Sequence, residues 1–197
     1  MCGRYVFADG RNQWISNWVE QARRTLSDQE FEQLSLFEVF PGSHVLAMVY
    51  HPQKQQLQMT PMHWGYASGS GKLIINARSE TFEQLPLFRE SHRCVIPASG
   101  YYEWSASPRA KYYFTAPQEE VLYLAGICRR GQEGLSFVIL TEDAGMPQAS
   151  VHPRQPVIFS KKDAASWCSG QDSRILLHHS IQARSMARQD AAQNRLL

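Results

Sequence analysis

The spacing of apolar residues predicts helices near both ends of the chain. Between residues 12 and 24, apolar side chains recur at positions 14, 15, 18, 19 and 22, on one side of a helix. A second helix is predicted to begin at Ser27 and to run to about Phe37, because Ser27 and Glu30 have the spacing of a capping box. A third helix is predicted over residues 160–167.

The middle of the chain has the pattern of β-strands. Strand-length apolar runs occupy residues 45–50 and 73–75, and residues 57–59 are a candidate partner for the first. Further β-rich runs cover residues 94–96, 101–104, 112–115, 121–127, 137–140 and 157–159. Turns are predicted at Ser107-Pro108 and at Pro117-Gln118. So many short strands predict a closed or strongly curved, largely antiparallel sheet.

Composition narrows the possible classes of protein. The chain has 197 residues, of which 43% are hydrophobic and 19% charged, as in globular proteins. This length favours one domain, residues 1–197, over two small ones. Because no apolar run approaches the roughly 20 residues that span a bilayer and no secretory signal is present, we expect a cytoplasmic protein without membrane contact. The net charge of +2 does not by itself indicate nucleic-acid binding.

The cysteines lack the spacing of a metal site or a disulfide framework. They are Cys2, Cys94, Cys128 and Cys168, with no Cys-x-x-Cys pair among them. Cys94 and Cys128 lie in apolar segments and are predicted to be structural. We therefore expect neither a metal nor another cofactor.

The chain begins with Met1-Cys2-Gly3-Arg4, which has distinctive chemistry if Met1 is removed. Cys2 would then carry both a free α-amine and a thiol, which together capture an aldehyde by forming an imine and then a thiazolidine ring. The unperturbed groups titrate at about 7.7–8.0 and about 8.5, so both reactive forms exist near neutral pH. Alone, this segment is better explained as an inert, frayed terminus, so the rest of the chain must decide.

Polar residues interrupt or end several of the predicted strands. Asn76 and Arg78 follow residues 73–75, and an extended backbone would place both side chains on one face. Glu103 stands among aromatic residues, either facing solvent or buried with a raised pKa, as a general acid requires. His152 precedes a predicted turn. Each of these residues alone also has an ordinary structural interpretation.

Four motifs together resemble the SOS-response-associated peptidase (SRAP) family over nearly the whole chain. They are Met1-Cys2-Gly3-Arg4-Tyr5, Ile75-Asn76-Ala77-Arg78-Ser79-Glu80-Thr81, Arg93-Cys94-Val95-Ile96-Pro97-Ala98-Ser99-Gly100-Tyr101-Tyr102-Glu103-Trp104 and His152-Pro153-Arg154-Gln155-Pro156. The resemblance implies one α+β domain around a curved, barrel-like antiparallel sheet with flanking helices. It also implies a monomer that binds single-stranded DNA in a positively charged groove and becomes crosslinked to abasic sites during the DNA damage response.

The resemblance also implies roles for particular residues. Cys2 would be the nucleophile, Asn76 would position its amine and the opened sugar, Glu103 would transfer protons during ring opening and imine formation, and His152 would assist. The phosphate-holding residues would be Arg4, Arg78 and Arg154. Arginines that hold phosphates supply affinity without reading a base, which suits a lesion that has no base. Peptidase activity on Met1 and a lyase-type activity are further expectations.

Three segments depart from the family pattern. After Phe37 the family has Asn, a small residue and Pro, whereas this chain has Glu38, whose carboxylate would weaken DNA binding if it points into the groove. Residues 67–71 offer no aromatic side chain for a stacking contact. Pro153 replaces the usual Asp after His152 and favours extended backbone there, so we expect a displaced imidazole.

Two other functions fit parts of the sequence. An N-terminal-nucleophile glutamine amidotransferase also begins with Met-Cys-Gly and uses the cysteine thiol on an amide, with the amine as base. That class has no role for Asn76 or Glu103. The second alternative is a non-catalytic module for single-stranded DNA in which Cys2 is inert.

Overall fold

A computed structural model of the chain describes residues 2–106, 109–115, 121–131, 134–181, 183 and 185–189, the last range as backbone only. Met1 and the turns predicted at Ser107-Pro108 and Pro117-Gln118 lie outside the described residues. The helices within them are α1 (Gln13–Thr25), α2 (Asp28–Glu32), α3 (Lys161–Cys168) and α4 (Ser173–Leu177).

Helix α1 and the capping box of α2 confirm the predictions for the first part of the chain. Asn12 caps α1 because its side chain accepts hydrogen bonds from the backbone of Trp14 and Ile15. Ser27 and Glu30 bond each other's backbone N–H groups, as a capping box requires. The predicted extension of α2 to Phe37 is wrong, because the following residues pair with distant strands: Leu34 bridges to His44.

The strands of the first half are β1 (Tyr5–Val6), β2 (Glu38–Val39), β3 (His44–His51), β4 (Gln56–Trp64), β5 (Tyr66–Ala67), β6 (Leu73–Ile74) and β7 (Asn76–Arg78). Those of the second half are β8 (His92–Ala98), β9 (Gly100–Trp104), β10 (Lys111–Thr115), β11 (Leu122–Gly131), β12 (Gly134–Asp143), β13 (Arg154–Pro156), β14 (Ile158–Phe159) and β15 (Ser185–Gln189). Strand β15 was not predicted, and most of the longer strands include or overlap the predicted runs.

The larger of the sheets closes on itself. Its strands follow the order β13-β12-β4-β3-β8-β11-β14, and β12 also pairs with β11, so that β12, β4, β3, β8 and β11 form a barrel. The pairings of β12 with β4 and with β7 are parallel, whereas the barrel strands otherwise pair antiparallel. The predicted α+β class with a curved, largely antiparallel, barrel-like sheet and flanking helices is therefore confirmed.

A second sheet, called the small sheet here, has the antiparallel order β15-β10-β9-β1-β2. Residues alternate between its faces, and directly paired residues share a face. The register therefore places Tyr5, Val39, Tyr101, Glu103 and Phe114 on one face, all of them buried. We call this the inner face. The opposite, outer face carries Arg4, Glu38, Phe40, Tyr102, Trp104 and Lys111.

The small sheet packs its inner face into the core that it shares with the barrel. Cys2, Tyr5, Tyr101 and Phe114 belong to the same apolar cluster as the barrel residue Trp64. The strands approach closely at Gly100, where an added Cβ would lie only 2.6 Å from the carbonyl oxygen of Phe114. Because a larger side chain would clash there, glycine at this position allows the close approach of β9, the strand that carries Glu103, to β10.

Candidate active site

Cys2 lies in the core, shortly before β1. It has 0% of its surface exposed, and its thiol lies 3.9 Å from the carbonyl oxygen of Arg4. Burial raises the pKa of the Cys2 thiol, and the nearby Glu103 carboxylate adds to that increase. The structure therefore holds this sulfur as a neutral thiol, which would need a base or a shift in its surroundings before acting as a nucleophile.

Asn76 contacts Cys2 from the barrel. Its Nδ2 group donates a hydrogen bond of 2.9 Å to the carbonyl oxygen of Cys2, although the two residues are 74 positions apart. Strand β7 sets this position by pairing with β12, where Asn76 lies opposite Ile139. The other amide atom, Oδ1, is buried and has no hydrogen-bond partner among the described residues. An acceptor beside Cys2 is thus available for a group that the described residues do not supply.

Glu103 lies on the inner face of β9, and only 4% of its surface is exposed. Of the two interpretations that the sequence left open, the buried one is correct. Burial raises the pKa of the Glu103 carboxyl, while positive charge on His152 opposes the increase. Charge on Glu103 influences the Cys2 thiol, and charge on His152 influences the Glu103 carboxyl, so the three groups lie near one another.

His152 follows a short 3₁₀ turn, Gln148–Ser150, and its backbone N–H donates to the Gln148 carbonyl at 2.9 Å. Its Nδ1 atom lies 3.0 Å from both the backbone nitrogen and the carbonyl oxygen of Arg154. A neutral Nδ1 can accept from that N–H, and a protonated one can donate to that carbonyl. Charge on His152 opposes the rise in the Glu103 pKa, so the imidazole lies near that carboxyl although Pro153 follows it.

The arginines expected to hold phosphates differ in their surroundings. The Arg154 side chain is only 12% exposed and forms ion pairs of 2.7 Å with Glu80 and 2.6 Å with Asp143. Phosphate binding by Arg154 would require exchange of these pairs. Arg78 is exposed at the end of β7, after a buried alanine. Arg4 contacts the Glu38 carboxylate at 3.2 Å.

Sequence reasoning missed polar groups that the inner face brings to Cys2. The hydroxyls of Tyr5 and Tyr101 are buried without a hydrogen-bond partner among the described residues. Burial raises the pKa of both tyrosines. Strand parity held a signal for Tyr101, because it lies two residues before Glu103 and therefore faces the same side.

The remaining cysteines add no second centre to the described part of the chain. Cys94, Cys128 and Cys168 are free thiols, and the first two are buried as predicted for structural residues. Across residues 2–189, where described, no three His, Cys, Asp or Glu side chains are grouped so as to hold a metal ion. In the same ranges, no helix is long and apolar enough to cross a membrane.

This convergence of four separate segments agrees with the motifs found in the sequence, and comparison with known proteins decides the family. The family model for SOS response associated peptidase (SRAP) matches residues 1–192. The chain belongs to the SRAP family.

Relatives and solved structures extend this assignment. The chain is 27% identical over 178 residues to abasic site processing protein YedK of Escherichia coli K12, covering 85% of this chain and 79% of YedK. It is 25% identical over 191 residues to abasic site processing protein YoqW of Bacillus subtilis 168, covering 88% and 82%. The solved structure of a phage-related protein from Bordetella bronchiseptica is similar with a TM-score of 0.70 at 25% identity, covering 95% of this chain and 93% of that one.

Proposed function

We propose that this SRAP protein processes abasic sites in single-stranded DNA by forming a covalent thiazolidine adduct through Cys2 after removal of Met1. The proposal is supported by the names of its relatives and, within the chain, by the hydrogen bond from Asn76 to the Cys2 carbonyl. That bond carries the argument because it fixes the residue whose amine and thiol would react. The same asparagine also presents a buried, unpartnered oxygen there, as far as the described residues extend.

The reaction begins with opening of the abasic sugar. A closed hemiacetal opens when the C1 hydroxyl loses its proton and the ring oxygen gains one, and general acid–base catalysis accelerates that step. Glu103 suits this role because burial raises the pKa of its carboxyl, so more of it is protonated near neutral pH than for an ordinary glutamate. The opened sugar then presents a carbonyl carbon to Cys2.

Adduct formation follows in two bond-forming steps. The Cys2 amine adds to the aldehyde carbon and the resulting hydroxyl leaves as water, which gives an imine. The thiol then adds across the C=N bond: sulfur bonds to carbon, and the thiol proton ends on nitrogen. Asn76 Oδ1 would accept from the amine and orient it. His152 would assist proton transfer through its other ring nitrogen, Nε2, because its Nδ1 is held by the backbone of Arg154.

The deciding experiment uses protein whose free N-terminal Cys2 has been verified by intact mass. It is incubated with a single-stranded oligonucleotide that carries one abasic site, and adducts are counted on a denaturing gel and by mass spectrometry. We expect a heat- and denaturant-stable adduct with the mass of protein plus DNA minus one water. Cys2→Ala should abolish it.

Cys168→Ala is the matched control, because Cys168 is a free thiol outside the site that should leave the adduct unchanged. If processed wild-type protein binds the oligonucleotide without forming an adduct, the proposal fails and a non-catalytic binding module is favoured. Release of ammonia from glutamine would instead favour the amidotransferase alternative.

Removal of Met1 is a separate step with its own test. As long as Met1 remains, the amine of Cys2 is part of a peptide bond and cannot form an imine. Self-cleavage would be a peptidase activity of the protein, and protein synthesised without methionine aminopeptidase should then still lose Met1. Retention of Met1 under those conditions would assign the cleavage to the cellular enzyme.

A further inference from the structure

Two cations on the outer face of the small sheet converge on one oxygen atom. Nη1 of Arg4 lies 3.2 Å from Oε1 of Glu38, and Nζ of Lys111 lies 3.3 Å from the same oxygen. Arg4 directly precedes β1, Glu38 is on β2 and Lys111 is on β10, so three separate segments supply the cluster. Oε1 therefore marks a position that the fold prepares for a negatively charged oxygen.

Aromatic side chains hold both cations in place independently of Glu38. The Arg4 guanidinium lies 4.3 Å from the ring centre of Phe40 and 5.2 Å from that of Trp104. The Lys111 ammonium lies 3.7 Å from the ring centre of Tyr102. Such cation–π contacts favour these positions without neutralising the charges. The cations would therefore keep their arrangement if the carboxylate moved away.

The carboxylate can leave more readily than the cations. The Glu38 side chain is 37% exposed, whereas those of Arg4 and Lys111 are 30% and 14% exposed and lie against aromatic rings. Ion pairs with a solvent-exposed member contribute little net stability, because water and salt screen them. A phosphodiester offers two charged oxygens in place of Oε1, and charge-assisted hydrogen bonds to phosphate are strong. Exchange of carboxylate for phosphate is therefore feasible at low cost.

We infer that Arg4 and Lys111 form a binding site for one backbone phosphate of single-stranded DNA, which the Glu38 carboxylate occupies until the strand enters. The identity of the strand rests on the proposed function, whereas the anion site rests on the geometry alone. Because Arg4 is two residues from Cys2, the phosphate belongs to a nucleotide close to the lesion. Glu38 thus acts as an internal competitor that lowers affinity for intact strands.

The test measures affinity for an undamaged single-stranded oligonucleotide at several salt concentrations, by fluorescence anisotropy. Glu38→Gln should bind about threefold to tenfold more tightly than wild type, since it removes the competing charge at nearly constant shape. The slope of log affinity against log salt should stay nearly unchanged, because the same phosphate is neutralised in both proteins. Lys111→Met, which removes the ammonium and keeps an unbranched apolar side chain, should weaken binding and reduce the slope.

Glu20→Gln is the matched control, because Glu20 also pairs with an arginine, Arg24 at 3.6 Å, and the substitution changes net charge equally. An equal gain from Glu20→Gln would overturn the inference in favour of a general charge effect. Unchanged or weaker binding by Glu38→Gln, or unchanged binding by Lys111→Met, would also overturn it. None of these measurements requires a reaction at Cys2, so failure to form an adduct would sink the proposed function and leave this site standing.

Discussion

The two faces of the small sheet use the same strands for opposite purposes. On the inner face, Glu103 is buried among aromatic side chains and lies in the site of Cys2. On the outer face, Glu38 is partly exposed and pairs with two cations at once. Adjacent residues of one strand, Glu103 and Trp104, therefore belong to chemically different environments.

The difference follows from how water screens charge. A charge inside a protein interacts strongly with its neighbours and is costly to keep ionised, which is why burial raises the pKa of Glu103. At the surface, water and salt weaken each ion pair, and partners exchange easily. The inner face suits proton transfer at a fixed position, and the outer face suits reversible binding of a charged strand.

The largest expected effect is on the rate of adduct formation, without a matching change in affinity for DNA. Glu103→Gln should slow adduct formation by about 10²–10⁴-fold, because the amide cannot transfer a proton as the carboxyl does. Affinity for intact single-stranded DNA should stay nearly unchanged, since the inner face would not contact phosphates. Rates are measured from gel time courses and affinity by anisotropy. An equal loss of rate and of affinity would show that Glu103 has a structural role, and the two faces would then not differ in function.

The two faces should also differ in how much their side chains contribute to the free energy of unfolding. Phe114 is fully buried and stacks on Tyr101 with ring centres 5.1 Å apart. Phe114→Ala should therefore lower the free energy of unfolding by about 3–5 kcal/mol. On the outer face, Phe40→Ala should cost about 1 kcal/mol or less, because Phe40 is exposed and contacts the Arg4 guanidinium. Denaturant titrations measure the stability of both variants, and similar losses of stability would contradict the assignment of Phe114 to the inner face and Phe40 to the outer face.

The dependence of stability on pH should identify the buried carboxyl. Because the folded-state pKa of Glu103 is raised, the folded protein binds this proton more tightly than the unfolded chain does. That stabilisation is complete below the ordinary pKa and is lost as the pH rises through the folded-state value. The melting temperature of Glu103→Gln should therefore increase relative to that of wild type as the pH rises.

Glu30 on α2 supplies a control of opposite sign. Hydrogen bonds from Ser27 lower the pKa of its carboxyl, so its stabilisation is present above the ordinary pKa and is lost as the pH falls through the folded-state value. Glu30→Gln should lose melting temperature relative to wild type as the pH rises. The same pH trend for both variants would exclude burial as the origin of the Glu103 effect.

Local patterns predicted the elements whose causes are local. Helix α1 follows from its apolar spacing and the Asn12 cap, and the start of α2 follows from its capping box. The end of α2 could not be predicted, because pairing partners distant in sequence decide it: Glu38 joins β2 opposite Val6. Strand β15 escaped prediction because its sequence has no run of β-branched or aromatic residues.

The residues of the candidate site could be predicted from the sequence, but their orientations and partners could not. Cys2, Asn76, Glu103 and His152 were predicted from motifs, whereas the orientation of Glu103 was not, because its neighbours on both sides in the sequence are aromatic. Pairing of β9 with β1 and β10 decides that orientation. The ion-pair partners of Arg154 were also not predicted, since Glu80 is 74 positions away. Contacts between distant segments leave little trace in one sequence.

The smallest expected effect compares adjacent tyrosines on β9. The Tyr101 hydroxyl is buried without a partner among the described residues, and a buried hydroxyl that lacks a hydrogen bond is destabilising. Tyr101→Phe should therefore raise the free energy of unfolding by about 1 kcal/mol. Tyr102→Phe, on the outer face, should change it by about 0.5 kcal/mol or less. If denaturant titrations show instead that Tyr101→Phe is destabilising, the hydroxyl has a hydrogen-bond partner. Gln148 is the candidate, because a hydrogen bond with its side chain would oppose the rise in the Tyr101 pKa. The isolation of this hydroxyl beside Cys2 would then be disproved.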